Sequence, residues 1–292
     1  MAITASMVKE LRERTGVGMM DCKKALTEAD GDLDLAAENL RKQGAAAADK
    51  KAGRIAAEGL IGLAVDDAGE TAAIVEVNSE TDFVAKADDF IAYTAAVAQT
   101  ALSEQPVDLD ALLRAPMNGS SVEDQRKLLI GKLGENMGVR RFERVGGNGH
   151  PLHIYKHGAK IVVVVEMEGG DETLGRDIAM HIAASKPVCV TPEDIPQEML
   201  DKEKEIFTAQ AKDSGKPDNI IEKIISGRIA KYINEICLTG QPFVKDPDIR
   251  VGKLLDQNNA KVLDFVRYEV GEGVEKKQED FAAEVAAQLD EG

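Results

Sequence analysis

The sequence predicts an α+β protein: a helical N-terminal module, a two-part core of antiparallel β-hairpins and helices, an antiparallel helical hairpin inserted in that core, and a C-terminal helix. Three observations carry the prediction. Apolar residues recur at helical spacing as far as residue 54, and the pattern then turns to strand-forming runs, LIGLAV from Leu60 and TAAIVEVN from Thr71. Two strands around a short turn, followed by a helix, occur twice, once from Leu60 and again from His153. Between Pro192 and Ile236 the strand pattern is replaced by two amphipathic helices flanking SGKP.

The N-terminal module reads as three short helices. Thr4 is an N-cap for a segment through Arg14 with Met7, Val8 and Leu11 on one face, and Gly16 supplies its stop. A second helix runs from about Asp21 to Ala29, with Cys22, Ala25 and Leu26 inward, and ends at Asp30-Gly31. Asp32 caps a third, in which Leu33, Ala36 and Leu40 recur at helical spacing. So small a bundle leaves apolar surface over, and Val17, Met19 and Met20 read as exposed and as a docking surface, the alternative being that both methionines close the small core. The next stretch, GAAAADKKAGRIAAEG, reads as helix or tether.

In the core, the first hairpin turns at Asp66 to Glu70 and leads to the helix DDFIAYTAAVAQTAL. The second, HIYKHGAKIVVVVEME, turns at His157-Gly158 and leads to GRDIAMHIAAS. Val75-Glu76-Val77 lines up with Val165-Glu166-Met167, and Ile91-Ala92 with Ile178-Ala179, which reads as an internal repeat joined near residues 146–151. In the inserted hairpin Gly215 is a stop and Pro217 a first-turn start, and Ile221, Ile225, Tyr232 and Ile236 share a stripe with Ile229 beside it. The chain returns through LTGQPFV to strand-like KVLDFVRYEVG and ends in acidic QEDFAAEVAAQLDEG. The division that follows is 1–54 for the bundle, 55–148 for the first core half, 149–191 with 238–263 for the second, 192–237 for the hairpin, and 264–292 for a C-terminal module.

Composition narrows the function. Apolar residues make 43% of the chain and charged residues 30%, the profile of a soluble folded protein. No run approaches the roughly 20 apolar residues of a membrane span, and MAITASMVKELRERTG has no apolar stretch of the secretory kind. Cys22, Cys189 and Cys237 are isolated and odd in number, which suggests reduced, buried thiols and a cytoplasmic setting. The net charge of −16 argues against a nucleic-acid backbone as partner. Residues 1–54 are nonetheless nearly neutral, with ten Lys+Arg against nine Asp+Glu, which marks them as a separate module. Gly131-Lys132 and Gly215-Lys216 lack the glycine and hydroxyl residue of a phosphate-cradling loop, and Gly16-x-Gly18 is no dinucleotide fingerprint. His150, His153 and His157 have no nearby Cys to complete a tetrahedral metal set. No nucleophile motif is present, so neither enzyme chemistry, cofactor nor metal is expected.

The stretch VNSETDFVAK stands just past the second strand and sets the acid Asp82 beside Phe83, one of only seven Phe in a chain without Trp. Two readings fit it. Phe83 and Val84 fold back over the helix starting near Asp88, or an aromatic wedge flanked by Thr81 and Asp82 is offered to a partner. Read alone, the N-terminal bundle would also suit a peptide adaptor.

LRERTGVGMMDCKKAL from Leu11 and EVNSETDFVAK from Glu76 resemble the two signature segments of bacterial translation elongation factor Ts. GENMGVRR from Gly134, YKHGAK from Tyr155, HIAASKP from His181, LTGQPFV from Leu238 and FVRYEVGEGVEK from Phe265 fit the same family in the same order, so the resemblance covers essentially the whole chain. It implies a guanine-nucleotide exchange factor for the GTPase elongation factor Tu, binding its GDP-bound and nucleotide-free forms, without covalent chemistry of its own. It implies that residues 1–54 are a ubiquitin-associated-like bundle docking through Val17, Met19, Met20 and Lys23. The same resemblance makes Thr81, Asp82, Phe83 and Val84 the loop that intrudes near the partner's Mg²⁺ and phosphates. It also implies further contacts at His157, Gly158 and Phe281, and the helical hairpin as a route to a homodimer. Glu80 stands where some relatives have Gln.

Overall fold

In the computed structural model, which describes residues 3–212 and 217–274, the N-terminal helices follow their capping chemistry. Helix α1 spans Ala5–Thr15; the Thr4 hydroxyl accepts from the Met7 N–H, and Gly16, at φ 69°, sends its N–H back to the Arg12 carbonyl. Only a residue without a Cβ adopts that left-handed cap at no cost. Helix α2, Met19–Glu28, starts two residues earlier than expected and has no side-chain cap; the Gly18 carbonyl takes the Cys22 N–H. Helix α3, Leu33–Lys51, is capped by Asp32, which accepts from the Asp34 and Leu35 N–H groups. It takes in the first half of the alanine-rich stretch, Gly44 to Lys51, as helix, and the rest leads without helix to the first strand. Leu11, Val17, Cys22, Leu26, Ala36 and Leu40 are buried together between the three.

Strands β1, Glu58–Val65, and β2, Thr71–Ser79, form the first expected hairpin, followed by a one-turn helix α4, Asp82–Ala85, and by α5, Asp88–Glu104. Residues 105–136, for which the pattern predicts no element, hold α6 (Leu109–Arg114), a small hairpin β3 (Pro116–Met117) and β4 (Ser120–Ser121), and α7 (Val122–Leu133). Strand β5, Met137–Gly146, pairs with β2 to give the sheet order β1-β2-β5. Helix α7 is faintly patterned because only Val122, Leu129 and Ile130 are fully buried on it. It packs on α3 where a Cβ on Gly44 would lie 2.9 Å from the Lys127 carbonyl, a close crossing that requires glycine.

Farther along, β6 (Leu152–His157) and β7 (Ile161–Glu168) pair antiparallel with His157 opposite Ile161, and α8 (Glu172–Ser185) is capped by Asp171. A Cβ on Gly175 of α8 would run into the His153 ring, so that histidine is packed under the helix, while His157 stands exposed at the turn. Helices α9 (Gln197–Lys212) and α10 (Asp218–Ile236) run antiparallel. Arg228 donates to Gln210, Phe207 meets Tyr232 edge-on at 6.4 Å, and Met199 and Leu200 lie with Ile233 and Ile236. The expected turn at Gly215 lies outside the described residues. Short β8 (Pro242–Phe243) and β9 (Asp246–Arg250), α11 (Val251–Gln257) and β10 (Lys261–Glu269) follow, and the second sheet has the order β10-β7-β6. The C-terminal helix expected to carry Phe281 also lies outside the described residues.

The chain divides into two units, one of Met1–Ala64, Ile74–Phe142 and Glu269–Gly292, the other of Val65–Ala73 and Glu143–Tyr268. In the second, Val163, Val165, Met167, Ile178, Ile182 and Leu238 form the core. Its one fully buried histidine, His181 of HIAASKP, is bonded to the LTGQPFV segment. Its Nδ1 accepts the Val244 N–H at 3.1 Å, so Nε2 carries the proton and donates to Gln241 Oε1 at 2.9 Å. Among the described residues no helix is long and apolar enough to cross a membrane.

Two of the cysteines are not isolated. Cys189 and Cys237 are bridged across the root of the hairpin, with Leu238 donating to the Cys189 carbonyl and the two sulfurs 3.3 Å apart as free thiols. Their separation in sequence hid the pairing. Burial pushes all three thiols up; for Cys237 burial and the Cys189 neighbour together raise it to about 12. The thiolate is the reactive form. Alkylation of the native protein at pH 8 should therefore proceed about 100-fold more slowly than in denaturant, read by mass spectrometry after timed iodoacetamide exposure. A native rate near the denatured one would show the thiols to be accessible.

Candidate functional site

The candidate site is the turn between β2 and α5. Thr81 is extended, at φ −123° and ψ 159°, and its hydroxyl accepts from the Val84 N–H, which starts α4. That phase turns Val84 and Ala85 inward and Phe83 outward: Val84 is 9% exposed and Phe83 79%. The two hydrophobes thus separate, Val84 covering the core and the aromatic ring standing in water. Burying such a ring would be favourable by about 1.5–3 kcal/mol, a gain that the fold of this turn leaves unused. Asp82 beside it pairs with Lys86 at 2.6 Å.

The turn is held from behind. Glu135 accepts both the Thr81 N–H, at 2.9 Å, and the Thr81 hydroxyl, at 2.6 Å. In the other direction Glu80 Oε1 accepts the Asn136 N–H at 2.6 Å and Arg54 Nη1 at 3.4 Å, while the Asn136 amide donates to the Arg54 carbonyl. Residues 80–81 and 135–136 therefore clasp each other. Glu80, as a carboxylate, is suited to take a backbone N–H and a guanidinium on one oxygen.

Glu76, in β2, is fully buried. It accepts from Asn78, Arg140, Arg141 at 2.6 Å and the Gly271 N–H at 2.8 Å. Burial, the largest effect, raises its pKa, but the bonds from Gly271, Asn78 and Arg141 outweigh it and hold the carboxyl below its ordinary value. Three sequence segments, EVNSETDFVAK, GENMGVRR and FVRYEVGEGVEK, meet at this carboxylate.

Of the other predicted contact residues, Val17 is 7% exposed and belongs to the bundle core, whereas Met19 and Met20, 55% and 77% exposed, do not close it. Both methionines, together with exposed Lys23, lie in the unit that holds Thr81 to Val84; His157 and Gly158 lie in the other, and Phe281 is outside the described residues. Glu135, Asn136 and Arg54 were not predicted. The acid–amide pair inside GENMGVRR was the available signal, but spacing alone does not reveal what it grips.

The family model described as "Elongation factor TS" matches residues 80–272. The chain is 62% identical over 289 residues to elongation factor Ts of Thioalkalivibrio sulfidiphilus, with 99% of each chain covered. It is 59% identical over 288 residues to that of Alkalilimnicola ehrlichii, again with 99% of each covered. With the elongation factor Ts of Methylococcus capsulatus it shares 58% over 290 residues, 99% of both. A family match across most of the chain and end-to-end identity of this order have one meaning: the chain belongs to the elongation factor Ts family.

Proposed function

We propose that the chain is a guanine-nucleotide exchange factor for elongation factor Tu in protein synthesis, acting in the cytoplasm without a cofactor or covalent chemistry of its own. The observation that carries the reading is the exposed Phe83 ring on a turn clasped from behind by Glu135 and Asn136. Thr81 to Val84 form the intruding loop. Mg²⁺ in a GTPase bridges the nucleotide phosphates to the protein, and an apolar ring driven beside that site displaces the elements that position the ion. GDP then leaves. Linkage requires GDP or GTP to weaken the factor's own binding by the same factor, so the empty GTPase is bound tightly and released when nucleotide returns.

The N-terminal bundle, in this reading ubiquitin-associated-like, docks on the nucleotide domain through Met19, Met20 and Lys23, with Val17 supporting them from the core. His157 and Gly158 touch a second domain, and the C-terminal module with Phe281 returns to the first. The two core halves are an internal repeat; in its favour, Glu76 and Glu166, which align in sequence, are both buried carboxylates bonded to an asparagine, Asn78 and Asn148. The hairpin of residues 192–237 is available for a homodimer. The net charge of −16 suits a protein partner better than nucleic acid.

The test is release of a fluorescent GDP analogue from an elongation factor Tu. Wild type should accelerate release many-fold, and Phe83→Ala should lower that acceleration about 30-fold, the 2 kcal/mol of a central aromatic contact, while still binding. Binding without acceleration would leave the adaptor reading in its place.

A further inference from the structure

We infer that Glu135 is the positioning residue for the Phe83 ring. The inference rests on the exchange reading above and concerns how the same loop is held. Phe83 is too exposed to be oriented by its own packing, so its direction is inherited from the backbone of α4. A single helical turn has no stability of its own; what sets its phase is the Thr81 cap. One carboxylate takes both donors of that cap. Glu135 accepts the Thr81 N–H, which fixes the backbone, and the Thr81 hydroxyl proton, which leaves the hydroxyl oxygen free to accept from the Val84 N–H. The Ser79 hydroxyl adds a bond to the Thr81 carbonyl at 2.9 Å. The neighbouring Asn136 N–H grips Glu80, so the loop is tied on two consecutive residues to one segment.

The consequence is mechanical. A ring on a loose loop would swing aside on meeting the GTPase, and the contact energy would go into bending the loop. A clasped loop transmits that energy to the partner. Glu135 touches neither nucleotide nor partner in this account, and acts only through Thr81.

The full chain is compared in the GDP-release assay as wild type, Glu135→Ala, Phe83→Ala and the double variant. Glu135→Ala is expected to lower the maximal release rate about tenfold while the factor concentration giving half-maximal release changes less than about threefold, the pattern of an interaction felt only at the reactive step. In the Phe83→Ala background, loss of Glu135 should have no further effect, because there is no ring left to position. Glu135→Gln, which keeps one acceptor, should recover part of the rate, and it carries the comparison if Glu135→Ala fails to fold. Amide exchange at Val84 should rise in Glu135→Ala while β2 stays protected. A Glu135→Ala rate equal to wild type, or losses that multiply in the double variant, would overturn the inference and leave Glu135 as a structural residue. A wild type that does not accelerate release at all would instead remove the exchange reading itself.

Discussion

Replacing Glu76 with alanine is expected to cost about 3 kcal/mol of unfolding free energy, the scale found when one partner is removed from a buried ionic network. The carboxylate is fully buried and satisfies four groups at once: two guanidinium groups, an amide side chain and the Gly271 N–H. Arg140 and Arg141 keep about a third of their side-chain surface exposed, so each can turn to water when the acid is gone. Gly271 is only half-buried and the Asn78 amide keeps its bond to the Glu58 carbonyl, so few of the released groups stay unpaired, which keeps the cost near the lower end of the range. Protonation should act in the same direction. The folded-state pKa lies below the ordinary value of 4.5, so the stabilisation is complete above that pH and is lost as pH falls through it toward the folded value. Urea unfolding of wild type and Glu76→Ala at pH 7 and pH 4 tests both statements. The difference between the two proteins should shrink at pH 4. A loss under about 1 kcal/mol at pH 7 would mean that water enters and replaces the network.

Glu76 also shows why some of this molecule could be read in advance and some could not. The strands around it announce themselves by runs of β-branched residues, and the helices by caps such as Thr4 and Asp32, whose chemistry is local. Local chemistry is legible in a sequence. The clasp around Thr81 is not local: Glu135 is one of 52 acidic residues and gains its role only when β5 is laid against β2. The exposure of Phe83 was equally hidden. In Asp82-Phe83-Val84 two hydrophobes stand side by side, and which of them turns inward depends on the phase of a helix four residues long. Val17 went wrong for a related reason: it lies next to Gly18 at the start of α2 and reads as a partner of Met19 and Met20, yet the turn after Gly16 folds it into the core. In α7 the weak apolar pattern follows from burying only three residues fully. Cys189 and Cys237 meet because the hairpin returns its two ends to one place, a contact that no spacing rule supplies.

Acid should unfold the second unit through His181. The ring is fully buried, and burial, only partly opposed by the bond with Gln241, holds its pKa below the ordinary 6.5. As pH falls, the unfolded chain therefore takes up a proton before the folded one, so stability is complete above about pH 6.5 and declines as pH falls through that value toward the folded pKa. Protonation has a structural meaning as well: Nδ1 accepts the Val244 N–H, and a proton there sets two donors against each other. The Gln241 amide is committed elsewhere, donating to the Glu235 carbonyl at 2.7 Å, so it cannot rotate to relieve the conflict. His153, packed under α8, has its pKa lowered by burial too and contributes with the same sign, which is why the test compares variants rather than wild type alone. His181→Ala should lose about 3–5 kcal/mol, from a cavity together with an unpaired Gln241 oxygen and Val244 N–H. In that variant the unfolding midpoint should fall less between pH 7.5 and pH 5 than in wild type. Equal falls in both proteins would assign the acid sensitivity to His153 or to surface carboxylates, and would leave His181 as a packing residue whose protonation the fold tolerates.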